Sequence, residues 1–370
     1  MEKFDSFFTL IKAGLWENEF RLSPYDKIDW QVVYQLAQEQ SVLGLVLAGF
    51  EHSNVKPPQD LLLEWIGEVQ MTELQNKAMN EFIAVLIEKL RSIGVYALLV
   101  KGQGIAQCYE RPLWRLSGDV DLLLSHDNYR KSKQWFDDIG VVIEEEKPYK
   151  KHISYRVEDW DVEIHGTLRG EVNARIDNMI DEVQKAVFYG GSVRSWTNGK
   201  TQIFLPGVNE DVAFVFTHIL QHFFRGGIGL RQICDWCRLL WTYKDSLDYG
   251  LLESRIKKAR IMSEWKAFSA FAVDYLGMPV EAMPMYSSDK KWSRKADKIC
   301  SYVMNVGNFG HNRDMSYKSQ SLFFKRMMIS LKYRTSDFAK QVMVFPLDAL
   351  RAYWYIWGTG LKFVAKRILK

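Results

Sequence analysis

A short run, Gly-Asp-Val-Asp-Leu-Leu-Leu at positions 118–124, most constrains what this chain can fold into. Its apolar residues predict a buried strand, and side chains along a strand alternate between the two faces of a sheet. Asp119 and Asp121 therefore point to one side, while Val120 and Leu122 point into a core. Two neighbouring carboxylates repel each other unless a cation lies between them. Ligands that are all oxygen favour Mg²⁺ or Mn²⁺ over zinc, so the run predicts a divalent metal site.

A second strand-like run, Val-Glu-Asp-Trp-Asp-Val-Glu-Ile-His-Gly-Thr-Leu at positions 157–168, offers a third carboxylate. Its alternation places Asp161, Glu163 and His165 on one face and apolar residues on the other. A strand with this pattern beside the first brings Glu163 next to the Asp pair, and Asp161 is the remaining candidate. Asp-x-Asp pairs without a metal are common on half-exposed strands, which is the alternative. The apolar residues after the pair and Gly118 before it favour the metal site.

The run Lys-Gly-Gln-Gly at positions 101–104 has the composition of a phosphate-binding turn and follows an apolar strand-like run at 96–100. Glycines let backbone N–H groups approach an anion and open a helix, here predicted over residues 105–109. Lys101 adds a mobile positive charge, and Arg115 adds a guanidinium that can hold a phosphate through two hydrogen bonds. The alternative is a simple turn from a strand into a helix.

These elements occur in an order that resembles the nucleotidyltransferase superfamily, in the branch of uncharacterised nucleotidyltransferases. The matching elements are Lys101-Gly102, Arg115, Asp119-Val120-Asp121 followed by apolar residues, and Glu163-Ile164-His165. The resemblance implies a DNA polymerase beta-like fold and a metal-binding triad of Asp119, Asp121 and Glu163, with Glu163 where Asp is more usual. It also implies that the Lys101-Gly102 turn takes the place of the Gly-Ser turn that holds nucleotide phosphates in better-known members.

A histidine pair lies in the helical pattern that follows the strands. His218 and His222 are one helical turn apart and share a face, which is the spacing of the HExxH zinc peptidases. The residue after the first histidine is Ile219, so the glutamate that serves those peptidases as a base is missing. We therefore interpret the two histidines as packing residues.

A glycine-containing turn between Arg225 and Arg231 leads into a helix that carries Asp235. If this half of the chain covers the cleft, Arg231 meets a phosphate and Asp235 orients it or serves as a base. The alternative is an Arg231–Asp235 pair that braces the helix one turn apart. The full set of candidates is Asp119, Asp121 and Glu163 for catalysis and metal binding; Lys101, Gly102, Arg115, Gly118 and Arg231 for nucleotide phosphates; and His165 and Asp235 as accessory residues.

The patterns divide the chain into an N-terminal helical region (1–75), a nucleotidyltransferase α/β core (76–205) and a C-terminal helical domain (206–370). The core pattern reads as a helix over 80–93, a strand, a short helix, the Asp strand, a helix over 129–139 and then several strands. Asn209, followed by two acidic residues, predicts the N-cap of the first helix of the last part. The predicted fold class is α+β, with a small mixed sheet flanked by helical regions.

Composition limits the class of protein. Hydrophobic residues make up 47% of the 370 residues, which is ample for packed cores. The N-terminus lacks the pattern of a signal peptide. The four cysteines (Cys108, Cys234, Cys237 and Cys300) form neither a disulfide framework nor a paired metal motif. We therefore expect buried thiols in a reduced, cytoplasmic protein.

Positive charge is concentrated near the C-terminus. Positions 317–370 hold eleven Lys or Arg residues against Asp337 and Asp348, a net charge of +9, whereas the whole chain carries +4. This predicts a weak contact with an anionic surface such as nucleic acid, a membrane or polyphosphate. The apolar run 342–361 is interrupted by Asp348 and Arg351, so we prefer a terminal helix packed on the core over a membrane-spanning or interfacial helix.

Together these observations predict a nucleotidyltransferase that depends on Mg²⁺ or Mn²⁺. By a two-metal mechanism, it would move an NMP from an NTP to the hydroxyl of an acceptor that the sequence does not identify (a small molecule, a protein or RNA) and release pyrophosphate. One alternative is a non-catalytic nucleotidyltransferase-like protein that only binds nucleotides. A second is a peripheral membrane or assembly protein that acts through the basic C-terminus.

Overall fold

The structure is a computed structural model that describes residues 4–17, 28–146, 151–308 and 323–368. The helices are α1 (Asp5–Trp16), α2 (Trp30–Glu39), α3 (Leu43–Glu51), α4 (Gln59–Ser92), α5 (Gly102–Ala106), α6 (His126–Ile139), α7 (Ala174–Tyr189), α8 (Val208–Arg225), α9 (Leu230–Thr242), α10 (Tyr249–Ala259), α11 (Met262–Leu276), α12 (Lys290–Val306), α13 (Phe323–Val342) and α14 (Pro346–Ile368). The strands are β1 (Ala97–Val100), β2 (Asp119–Leu124), β3 (Val141–Glu144), β4 (His152–Val157), β5 (Trp160–His165), β6 (Val193–Asn198) and β7 (Thr201–Pro206).

Within the described residues the strands form one mixed sheet in the order β3-β4-β5-β2-β1-β7-β6. β2 is antiparallel to β1 and parallel to β5, and β1 is parallel to β7. The other neighbours are antiparallel. Because parallel neighbours need a long connection, α6, β3 and β4 all lie in the chain between β2 and β5. A mixed sheet flanked by helices confirms the predicted α+β class.

The two faces of the sheet differ in polarity because the side chains of β2 alternate. Val120, Leu122 and Leu124 lie in an apolar core with residues of α4 and α6. Asp119 and Asp121 lie on the opposite face, which is the face turned towards the C-terminal helices. The carboxylates are therefore held at the boundary between the sheet and the helical half of the protein.

Helix α4 is much longer than the helix predicted over residues 80–93. It starts after Pro58, with Asp60 in its first turn, and ends after two basic residues, which suits the helix dipole. The helix therefore runs without a break across the predicted boundary at residue 75, so that boundary does not coincide with the end of an element. The division into three domains stays a prediction.

The middle of α4 fixes the loop before β2. The buried Asn76 donates hydrogen bonds to the carbonyl oxygens of Leu113 and Arg115, at 2.8 Å each. The carbonyl oxygen of its side chain accepts a hydrogen bond from Gln103 at 2.7 Å. One amide thus ties α4 to the segment that carries Arg115 and to the start of α5.

The predicted N-cap at Asn209 is wrong. Helix α8 starts at Val208, after Gly207, and its acidic first turn is as predicted. The side chain of Asn209 instead donates to the carbonyl oxygen of Asp248 at 2.7 Å and accepts from its backbone N–H at 3.0 Å. The amide of Asn209 therefore forms its hydrogen bonds with a distant segment rather than with the N-terminus of its own helix.

Helix α7 was missed by the sequence analysis, which predicted strands in this part of the chain. Asn173 caps the helix, since its side chain accepts hydrogen bonds from the backbone N–H groups of Arg175 and Ile176. Helix α7 packs against α8 and α10, so it belongs to the helical layer.

The predicted packing of the C-terminal helix on the core is confirmed where side chains are described: Ala349 and Ala352 of α14, and Phe345 just before it, are buried in the main core. Many of the basic residues after position 316 lie outside the described side chains, so the predicted anionic contact stays a prediction. None of the helices in the described part of the chain combines the length and hydrophobicity that a bilayer crossing requires. The four cysteines are free and buried.

Candidate active site

A cavity of about 290 Å³ lies between the carboxylate face of the sheet and helices α8 and α9. It is lined by all ten residues that the sequence analysis selected: Lys101, Gly102, Arg115, Gly118, Asp119, Asp121, Glu163, His165, Arg231 and Asp235. The fold therefore brings these residues together from distant parts of the chain, and the roles given to them stay predictions.

The three candidate metal-binding carboxylates converge as the strand patterns predict. Asp121 of β2 lies directly opposite Glu163 of the parallel strand β5, and Asp119 lies two residues before Asp121. One carboxylate oxygen from each of these residues lies within 4.8 Å of the others. Asp161 does not line the cavity, and its carboxylate forms an ion pair with Arg156 at 2.8 Å. Glu163 is thus the third carboxylate of the site.

Lys101 supplies a positive charge inside this cluster. Its Nζ lies 2.8 Å from Oδ1 of the buried Asp121. Burial alone would lower the pKa of Lys101, but attraction to Asp121 and Asp119 outweighs it and raises the pKa. The ammonium therefore stays charged and offsets part of the negative charge of the carboxylates.

The backbone of the Lys101-Gly102 turn is unusual. Lys101 has φ 58° and ψ −147°, a conformation that glycine usually occupies and that costs other residues about 1–3 kcal/mol. Gly102 also has a positive φ and begins helix α5, which ends at Ala106. The helix predicted over 105–109 is therefore displaced towards the turn. A side chain at Gly118 would meet no atom within 4 Å, so packing does not explain that glycine.

The two Asp carboxylates differ in environment. Repulsion from Asp121, followed by burial, raises the pKa of Asp119 to about 6. Asp121 is only 2% exposed and contacts Lys101 and Nε2 of His165, the latter at 2.7 Å. Negative charge at the partly exposed Asp119 is therefore unfavourable in the absence of a further cation.

Two histidines lie beside Glu163. Its Oε2 is 3.0 Å from Nε2 of His152 and 3.4 Å from Nε2 of His165. Burial would raise the pKa of Glu163, but hydrogen bonds from both histidines outweigh it and hold the pKa well below its usual range. Burial would lower the pKa of His165, but its hydrogen bonds to Asp121 and Glu163 raise it. His152 was missed by the sequence analysis; the only signal was its position at the start of an alternating strand.

Arg115 and Asp235 form a buried, two-pronged ion pair. Nε and an NH2 group of Arg115 donate to the two carboxylate oxygens of Asp235 at 2.8 and 2.7 Å. Tyr109 also donates to Asp235, at 2.9 Å, and the remaining guanidinium nitrogen of Arg115 donates to Ser117 at 2.8 Å. The partner of Asp235 is therefore Arg115, and the alternative of an Arg231–Asp235 brace is wrong.

Arg231 makes fewer hydrogen bonds than Arg115. One of its terminal nitrogens donates to the carbonyl oxygen of Leu116 at 2.7 Å, whereas its buried Nε has no hydrogen-bond partner. Burial, followed by repulsion from Arg115, lowers the pKa of Arg231. A buried donor without a partner costs free energy, so an anion in the cavity that accepts a hydrogen bond from Nε of Arg231 would be stabilising.

The His218–His222 pair lines the cavity on the α8 side. Their Nε2 atoms are 3.0 Å apart. Burial lowers the pKa of both rings, that of His222 to about 4, and the positive charges of Lys101, Arg225 and Arg231 act on His222 in the same direction. Both rings are therefore neutral at physiological pH.

The comparisons with known proteins agree with this geometry. The sequence model of a family described as uncharacterised nucleotidyltransferase matches residues 26–276, more than half of the chain and all ten candidate residues. Neither the search of curated proteins nor the search of solved structures gives a match. On the strength of the family match, the chain belongs to the family of uncharacterised nucleotidyltransferases.

Proposed function

We propose that the protein is a metal-dependent nucleotidyltransferase that moves an NMP from an NTP to an acceptor hydroxyl and releases pyrophosphate. The observation that carries the proposal is the convergence of Asp119, Asp121 and Glu163, whose oxygen atoms lie within 4.8 Å of one another at the wall of a cavity that also contains cationic side chains. Family membership supports the reaction class. The acceptor, whether small molecule, protein or RNA, is open.

The donor set fits Mg²⁺ or Mn²⁺, since all three ligands are carboxylates and one of them, Asp119, is partly exposed. Asp119, Asp121 and Glu163 would hold such ions, whose positive charge would stabilise the attacking and leaving oxygens of an in-line displacement. The three carboxylates belong to the neighbouring strands β2 and β5, so the sheet rather than a loop fixes their positions.

The chain's own residues would orient the nucleotide and move a proton. A new bond forms between the acceptor oxygen and the α-phosphorus, the bond from the α-phosphorus to the pyrophosphate oxygen breaks, and the acceptor proton passes to Glu163. Glu163 is ionised and lines the cavity, so its carboxylate can receive this proton; the hydrogen bonds that hold its pKa low also make it a weak base, and the proton would pass on from it to the solvent. Its neighbours His152 and His165 hold the carboxylate in place.

Two cationic residues are suited to the phosphates. Lys101 already lies beside Asp121, and the buried Nε of Arg231 has no partner within the protein. Arg115 is proposed to act mainly as a positioning residue, because its guanidinium is occupied by Asp235 and Ser117. A triphosphate bound by Lys101 and Arg231 would lie between the sheet and helix α9.

The test is pyrophosphate release by the pure protein with each of the four common NTPs, Mg²⁺ or Mn²⁺, and a cell extract as the source of acceptor. Glu163→Gln should keep much of the NTP affinity and lose turnover by several orders of magnitude, because the lost interaction acts on the attacking oxygen. The matched control is Asp161→Asn, on the same strand and face but outside the cavity, which should keep wild-type turnover.

Equal rates in the wild type and the Glu163→Gln protein would remove Glu163 from the mechanism. A protein that binds an NTP through the triad without turnover under any of these conditions would instead be a nucleotide-binding module.

A further inference from the structure

A second set of ligand atoms adjoins the three carboxylates. His152 of β4 lies directly opposite His165 of β5, and Glu163 lies on the same face, two residues before His165. Nε2 of each histidine and a carboxylate oxygen of Glu163 lie within 4.8 Å of one another. His152 is 5% exposed and His165 is 9% exposed, so both rings are held in fixed positions by the sheet.

We propose that His152, Glu163 and His165 form a site for a divalent transition-metal ion of the zinc class, beside the site made only of carboxylates. This site does not depend on nucleotidyl transfer, because the three residues can bind a metal ion whether or not the protein transfers a nucleotide.

The spacing of the ligand atoms supports one ion among the three residues. Oε2 of Glu163 is 3.0 Å from Nε2 of His152 and 3.4 Å from Nε2 of His165. Metal–ligand bonds of about 2.0–2.2 Å place neighbouring ligands roughly 3.0–3.5 Å apart in octahedral or tetrahedral geometry. The two contacts to Glu163 fall within this range, and the two Nε2 atoms lie within 4.8 Å of each other. An ion at this position would replace the contacts to Glu163 and the 2.7 Å hydrogen bond between His165 and Asp121.

The chemistry of the ligands sets the class of metal. Two imidazoles and one carboxylate suit zinc and similar transition metals, whereas Mg²⁺ prefers oxygen ligands and retains water. The adjacent Asp121, whose Oδ1 is 2.7 Å from Nε2 of His165, adds negative charge next to the site. Glu163 belongs to both sets, so it can join the two sites as a shared ligand.

The other histidine pair of the cavity is a poorer site. His218 and His222 also present two Nε2 atoms, 3.0 Å apart, but no carboxylate completes a three-ligand group with them among the described residues. The positive charges of Lys101, Arg225 and Arg231 act on His222 and disfavour a cation there. Lys101 also acts on His165, but at the proposed site the carboxylates of Asp121 and Glu163 oppose its charge. His218 therefore provides a control, as a half-buried cavity histidine outside the proposed site.

The experiment measures Zn²⁺ affinity of the full chain by competition with a colorimetric chelator, with no nucleotide present. His152→Ala should lower the affinity at least about 100-fold, since loss of even an outer partner of a metal ligand costs about 10–100-fold. His218→Ala should bind Zn²⁺ like the wild type. Asp119→Asn should lose Mg²⁺-dependent thermal stabilisation but lose much less Zn²⁺ affinity than His152→Ala.

A measurement on the wild type covers the case in which His152→Ala does not fold. Cu²⁺ bound to the wild-type protein should show, by pulsed electron paramagnetic resonance, coupling to the nitrogens of two imidazoles, and the His218→Ala protein should give the same spectrum. Equal Zn²⁺ affinity in the wild type and a folded His152→Ala protein overturns the inference. A Cu²⁺ spectrum without imidazole nitrogen, or one that His218→Ala changes, overturns it as well. None of these readings depends on pyrophosphate release, so failure of the proposed transferase activity is a separate result.

Discussion

Asp119→Asn should stabilise the metal-free protein at neutral pH, although it removes a residue of the candidate metal site. Repulsion from Asp121 and burial raise the pKa of Asp119 from 3.8 to about 6. At one pH unit for each 1.36 kcal/mol, this rise corresponds to about 3 kcal/mol of unfavourable interaction for the charged carboxylate. Water screens the partly exposed side chain, so we expect a gain of about 1–2 kcal/mol from the uncharged amide.

The stability gained by Asp119→Asn should depend on pH. A carboxyl whose pKa is raised in the folded state destabilises the protein fully above the folded pKa, and the penalty fades as the pH falls towards the unfolded value. The advantage of the Asp119→Asn protein should therefore be complete above about pH 6 and nearly absent near pH 4. The comparison with the wild type at each pH removes the contributions of other titrating groups.

The assay is urea unfolding of both proteins with a chelator present, at pH values on both sides of this range. The control is Asp161→Asn, which removes a carboxylate paired with Arg156 and should not stabilise the protein. If Asp119→Asn has the same or lower stability than the wild type at neutral pH, the carboxylates do not repel each other as the structure indicates, and the electrostatic argument for a metal fails.

Three further predictions follow from the same geometry. Mg²⁺ or Mn²⁺ should raise the melting temperature of the wild type, and calorimetry should detect little metal binding by Asp121→Asn. Lys101→Gly, which suits the positive φ at this position, and Arg231→Ala should each weaken NTP binding by about 1.5–3 kcal/mol in a titration. Arg115→Ala should lower the free energy of unfolding by about 3–5 kcal/mol, because the buried carboxylate of Asp235 loses its ionic partner and keeps only the hydrogen bond from Tyr109; unchanged urea unfolding would show that the pair is not structural.

The convergence of the carboxylates could be predicted from the sequence because it rests on short-range alternation. Val120, Leu122 and Ile164 must be buried, and a slip of one residue would expose them. This requirement fixes the face of Asp121 and Glu163 on both strands. The local pattern therefore contains most of the information about this part of the site.

The partner of Asp235 could not be predicted in the same way. Spacing along helix α9 suggests Arg231, but the structure pairs Asp235 with Arg115, 120 positions earlier. That choice depends on the loop before β2, which Asn76 holds through two carbonyl oxygens. The identity of His152 as a neighbour of Glu163 likewise depends on the pairing of β4 with β5, which no local pattern specifies.

Asn76 has a consequence for how the protein unfolds. Helix α4 contributes Trp65 to the main core and Ile83 to the core under the sheet, and Asn76 joins it to the loop of Arg115 between these two contacts. A helix shared in this way couples the N-terminal helices to the cavity, so the two should exchange amide hydrogens as one cooperative unit. Destabilising substitutions far from the cavity, in α1–α3, would then reduce the fraction of molecules that have an assembled site. They would not alter the chemistry of the molecules that remain folded.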